Sequence, residues 1–117
     1  MSARDDIQPS AVIDRLFEVI EQRRHADPAT SHTAKLFAKG TRKIAQKVGE
    51  EAVELVIEAV RGKRERIIEE SADLMYHLLV LWADAHLRPG EIWDELIRRE
   101  GISGVAEKAG RGEEREE

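Results

Sequence analysis

The sequence predicts an all-α protein, a helical bundle of four to five helices, and three observations predict it. Charged residues make up 37% of the 117-residue chain and aromatics only 4%, and the remainder is rich in Ala, Leu, Ile and Val, a composition that favours helices over a β-sandwich or barrel. Apolar residues recur at helical spacing through most of the chain. Pro28, Gly40, Gly62, Pro89 and Gly90 stand at the joints between these segments. The length suits a single domain, residues 1–117, with flexible ends over 1–9 and 111–117.

Each element has its own justification. After the polar start, Ser10 is a good N-cap for a first helix ending near Arg24, in which Ile13, Leu16, Phe17 and Ile20 form the apolar stripe. The stretch HADPATSHT reads as a connecting loop, with Ser31 or Thr33 capping the short segment AKLFAKG. Thr41 can cap a longer helix running to about Arg61, where Gly62 supplies the stop. Its apolar arc, including Ile44, Val48, Leu55, Val56 and Val60 and widened by Val53 and Ile57, predicts burial on more than one side, against its own chain and a second subunit. The next helix, about Arg64 to His86, is apolar around most of its circumference, but Glu70, Asp73, His77 and Asp84 fall within an arc of roughly 60°. Pro89 opens a last helix carrying Ile92, Trp93, Leu96 and Ile97, which Gly101 ends. The tail from Ser103, rich in Gly, Lys, Arg and Glu, reads as disordered.

Charge and composition exclude several functions. A net charge of −5 argues against a protein that coats nucleic acid. The chain contains no cysteine and no apolar run approaching the roughly 20 residues of a membrane span, so the expectation is a cytoplasmic protein with no membrane partner. The charge is unevenly distributed. From Arg23 to Lys47 there are seven basic residues and one acid, Asp27, and an acidic region follows. Such an order suits an anionic ligand held through a metal ion.

Glu51 and Glu54 are three apart, as are Glu70 and Asp73, so each pair shares one face of its helix. Two such faces brought together make a box of four carboxylates. With no Cys and no obvious His partner the set is a hard-ligand set, matched to Mg²⁺, with Mn²⁺ as the other candidate. A cation bridging polyphosphate and water, with a spare carboxylate to take the proton, supports hydrolysis of a phosphoanhydride. A di-iron carboxylate bundle is the nearest competing metal site, but no Glu here is followed by His at the third position. Ser31, Thr33, Lys35 and Lys39 are donors of the kind that hold phosphate oxygens, although spacing alone favours a capped surface helix with solvated lysines.

From about Leu16 to Arg111 the chain resembles the phosphoribosyl-ATP pyrophosphatase family, within the all-α nucleoside triphosphate pyrophosphatase superfamily that includes MazG-like proteins and dimeric dUTPases. The residues carrying the resemblance are RRHADPATSHTAKLFAKG, KIAQKVGEEAVE, EESADLMYHLLVLWA and ELIRREGISGVAEKAGR. The superfamily's ExxE and ExxD signature falls on Glu51, Glu54, Glu70 and Asp73, and the narrower likeness on the flanks around Lys39, Lys47 and Asp73 to Val80. His32 stands where the family commonly has an aromatic such as Tyr, and Thr41 and Arg42 where Pro and an acid are common.

The resemblance implies Mg²⁺-dependent cleavage of phosphoribosyl-ATP to phosphoribosyl-AMP and pyrophosphate, the second step of histidine biosynthesis, by a homodimer. It implies Glu51, Glu54, Glu70 and Asp73 as metal ligands. It implies Glu50 and Glu51 as the catalytic acids, Glu50 assisting the water or a second ion, with Lys47, and more weakly Lys39, Lys35, Ser31 and Thr33, as phosphate contacts. His77 is expected to be a hydrogen-bonded helix histidine and not a ligand, and Arg23 and Arg24 to be surface charge. The alternative function is a house-cleaning nucleoside triphosphate pyrophosphatase. A non-enzymatic helical interaction module ranks below both.

Overall fold

In the computed structural model, residues 9–100 and 102 are described, and among them the chain forms five α-helices and no strand. They are α1 (Val12–Gln22), α2 (His32–Lys39), α3 (Thr41–Arg61), α4 (Arg64–Asp84) and α5 (Pro89–Arg99). The expectations for the residues before Pro9, for Gly101 and for the tail from Ser103 lie outside the described residues.

Local chemistry accounts for the joints. A 3₁₀ turn over Pro9–Ala11 precedes α1, so Ala11 takes the N-cap position without a side-chain bond and Ser10 lies inside the turn, not at the cap expected of it. Ser31 caps α2, its hydroxyl oxygen accepting from the Ala34 N–H at 3.1 Å. Gly40, at φ 93°, makes the sharp joint and is the one residue between α2 and α3. Gly40 therefore holds the cap position, and the Thr41 hydroxyl donates across the bundle to Asp84 Oδ2 at 2.6 Å instead. Gly62, at φ 75°, closes α3 in the left-handed conformation and turns the chain into α4. Helix α4 ends at Asp84, two residues earlier than its apolar pattern suggests, and His86 adopts a left-handed φ of 61° beyond it. Pro89 opens α5, where Glu91 Oε2 accepts from the Arg88 N–H at 2.8 Å.

The core gathers at one end of the antiparallel α3–α4 hairpin. Phe17 and Ile20 of α1, Leu36 of α2, Ile44 of α3, and Leu79, Val80, Trp82 and Ala83 of α4 are buried together, with Ile92 and Trp93 of α5 packed against them. Trp82 and Trp93 meet edge to face at 6.0 Å. Arg24 is more than surface charge: its guanidinium donates to the Ala83 carbonyl, pairs with Glu21 at 3.0 Å and lies over the Phe37 ring at 4.6 Å. It ties the loop after α1 to the end of α4.

Within the single chain the broad apolar arc of α3 is covered only in part. Only Ile44 and Glu58 are buried in it, while Val53, Val56, Ile57 and Val60 stand in solvent, Val60 at 84% exposure. At 100° per residue these four share an arc opposite Glu51 and Glu58. The helix thus turns Glu51 and Glu58 inward beside Ile44, and leaves Val53, Val56, Ile57 and Val60 outward. This geometry creates the site.

Candidate active site

An antiparallel hairpin that turns at Gly62 and Lys63 sets residues of α3 opposite residues of α4 in successive layers. Counting outward from the turn pairs Glu51 with Asp73, Glu54 with Glu70, and Glu58 with Arg66. Carboxylate oxygens of Glu51, Glu70 and Asp73 all lie within 4.8 Å of one another, an arrangement able to hold a metal ion. Glu70 is buried, Glu51 half-buried and Asp73 open to solvent, so the group has a closed floor and an accessible side. Burial pushes the Glu70 carboxyl above the usual carboxylate range, and although Arg66 opposes this, the charges of Asp73, Glu51 and Glu54 add to it. Three crowded acids with one resisting ionisation are a suitable donor set for a hard divalent cation.

The other residues singled out from the sequence occupy different positions. Glu54, one turn beyond Glu51, is exposed and outside the close trio, though near enough to act on Glu70. Glu50 lies on the outer flank of α3, accepting from Gln46 Nε2 at 2.7 Å and pairing with Lys47 at 3.3 Å. These bonds, the one from Gln46 foremost, hold its carboxyl below the ordinary range. Lys47 sits between Glu50 and Glu51, 3.7 Å from the latter. Lys35 and Lys39 are exposed on α2, and both join Lys47 in bearing on His32. Ser31 is used as the α2 cap. Thr33 does not offer its hydroxyl to solvent: it is 5% exposed and hydrogen-bonded to the Tyr76 hydroxyl, so it fixes α2 on α4.

His77 is buried, and its Nδ1 lies 2.8 Å from the Asp73 carbonyl. Because a carbonyl only accepts, Nδ1 carries the proton, and Nε2 is buried with no hydrogen-bond partner among the described residues. The Tyr76 ring meets the His77 ring edge to face at 5.0 Å and is stacked with His32 at 6.3 Å. The His32 pKa is lowered, first by burial and then by His77 and the three lysines, which keeps the ring neutral at neutral pH. His32, Glu58 and Arg66 were not among the site residues read from the sequence. The hairpin numbering about Gly62 is the signal that could have found the last two.

A helix hairpin that gathers three carboxylates between its arms, with Lys47 beside Glu51, defines an all-α protein with a centre able to hold a metal ion. The family model for phosphoribosyl-ATP pyrophosphohydrolase matches residues 13–100, and the chain belongs to that family. It is 62% identical to phosphoribosyl-ATP pyrophosphatase of Azospirillum brasilense over 109 residues, 93% of this chain and 97% of the relative. The enzyme of that name from Gluconobacter oxydans is 54% identical over 110 residues, 94% and 83% of the two chains. That from Cereibacter sphaeroides is 56% identical over 102 residues, 87% and 99%. No described helix is long and apolar enough to cross a membrane.

Proposed function

We propose that the protein hydrolyses the α–β phosphoanhydride of phosphoribosyl-ATP to phosphoribosyl-AMP and pyrophosphate, the second step of histidine biosynthesis, in the cytoplasm. The observation that carries this is the convergence of Glu51, Glu70 and Asp73 across the α3–α4 hairpin. Family membership supports the substrate, since the relatives are named for it.

Glu51, Glu70 and Asp73, with Glu54 at the open edge, would hold Mg²⁺ or Mn²⁺. When bound, such a cation neutralises polyphosphate oxygens and makes water a better nucleophile. The remaining work belongs to the chain. Lys47 exchanges its acidic partners for a phosphate oxygen, and Lys35, Lys39 and the Ser31 hydroxyl orient the phosphate chain. Glu50 stays ionised at neutral pH and accepts the proton that the attacking water loses, while the pyrophosphate group leaves with the bridging electrons. The exposed apolar face of α3 is the surface on which a second copy packs, because a monomer seldom leaves such a contiguous patch in water.

Pyrophosphate release from phosphoribosyl-ATP, followed by phosphorus NMR with and without Mg²⁺, tests the reading, with Glu51→Gln as the inactive control. The wild type is expected to rescue growth of a histidine auxotroph lacking this step. Cleavage of dCTP or dUTP without turnover of phosphoribosyl-ATP transfers the assignment to a house-cleaning pyrophosphatase.

A further inference from the structure

The acidic trio does not stand without positive charge. Arg66, one turn before Glu70, donates from Nη2 to Glu70 Oε1 at 2.9 Å and also bonds Glu69 through Nη1. The two ends of this pair differ in freedom. The Glu70 side chain is 8% exposed and that of Arg66 45%, so the carboxylate is held in place while the guanidinium can move. A divalent cation taken up by Glu70 brings two positive charges against the guanidinium, and the two cannot share the carboxylate without strong repulsion.

The next layer of the hairpin holds a carboxylate suited to receive Arg66. Glu58 is 5% exposed, and among the described residues its Oε2 is buried without a hydrogen-bond partner and its Oε1 has only a long contact with Arg61 Nη1 at 3.4 Å. A buried carboxylate oxygen in that condition is costly and seeks a donor. Arg66 already lies within the field of Glu58, which acts on it together with Glu69 and Glu70.

We infer that Arg66 is a positioning residue that serves as the counter-ion of Glu70 before the cation binds, and that it hands Glu70 over by moving its guanidinium onto the unpartnered oxygen of Glu58. The inference rests on Glu51, Glu70 and Asp73 being the cation site. Arg66 holds the Glu70 carboxylate correctly aimed through its 2.9 Å bond. Glu58 lowers the cost of releasing it.

The test is Mn²⁺ binding to the full chain without nucleotide, read as free Mn²⁺ by electron paramagnetic resonance. Losing the competing charge, Arg66→Gln should bind Mn²⁺ about three- to tenfold more tightly than wild type, an effect of the size expected for one partly solvated charge near a dication. Arg66→Lys keeps the charge and should remain close to wild type. Glu58→Gln should bind more weakly, and that weakening should vanish in the Arg66→Gln background, because Glu58 acts through Arg66. Equal or weaker binding by Arg66→Gln, or a Glu58→Gln effect that persists without Arg66, overturns the inference while leaving the cation site standing. A wild type that binds no Mn²⁺ overturns the cation site itself and the inference with it.

Discussion

The outward apolar face of α3 makes a sharp prediction about assembly. Val53, Val56, Ile57 and Val60 are 58%, 61%, 41% and 84% exposed, and Ile68 of α4 is 58% exposed. Fully burying a Val contributes ~1.5–3 kcal/mol, so the exposed part of Val56 is worth about 1–2 kcal/mol per copy. A two-fold interface loses this twice when Val56 becomes Asp, and each new carboxylate also gives up water against an apolar neighbour. The combined loss is at least ~3 kcal/mol of association, about a hundredfold or more in dissociation constant. Sedimentation velocity from micromolar to hundred-micromolar concentrations measures it, with far-UV circular dichroism as a fold control. Val56→Asp should sediment as a folded monomer where the wild type is a dimer. A monomeric wild type throughout that range, or a Val56→Asp protein that dimerises equally well, refutes the argument from the exposed face.

Other consequences concern the acids and the α2–α4 contact. Glu70→Gln should lose pyrophosphate release by roughly a thousandfold or more, since a carboxylate ligand becomes a neutral amide. The same variant should melt higher than wild type in a chelator, as it removes a crowded, buried charge. The sign follows from the raised Glu70 pKa: the folded state binds this proton more tightly than the unfolded chain, so the group favours folding at low pH. That contribution is lost as pH rises through a window just above the ordinary carboxylate range. Metal-free melting curves across this window should show the decline in wild type and a smaller one in Glu70→Gln. Mn²⁺ binding should strengthen over the same rise and release protons. Tyr76→Phe leaves the buried Thr33 hydroxyl without its partner and should cost about 1–3 kcal/mol in urea unfolding. No change there would mean that Thr33 finds another partner.

Much of the architecture was legible because it depends on short-range spacing. The stop at Gly62, the start at Pro89 and the cap at Ser31 follow from stereochemistry that each residue carries with it. Ser10 and Thr41 were harder. Each is a good cap by residue type, but a 3₁₀ turn over Pro9–Ala11 occupies the first junction, and Asp84, 43 residues away, takes the Thr41 hydroxyl. Asp84 cannot be matched to Thr41 from local pattern.

The sequence by itself determined the all-α class, the hairpin about Gly62 and the membership of Glu51, Glu70 and Asp73 in two acidic pairs, because helical period and turn chemistry are local. Only the tertiary structure decided which side of α3 faces α4. A helix with both an acidic and an apolar arc can turn either one inward, and the choice depends on what waits opposite. Here Arg66 and the polar strip of α4 meet the acids, leaving Val56 and Val60 outside. The same turn gave Glu58 its buried, unpartnered oxygen and spent the Thr33 hydroxyl on Tyr76. Such pairings depend on long-range packing, which spacing along one helix does not encode.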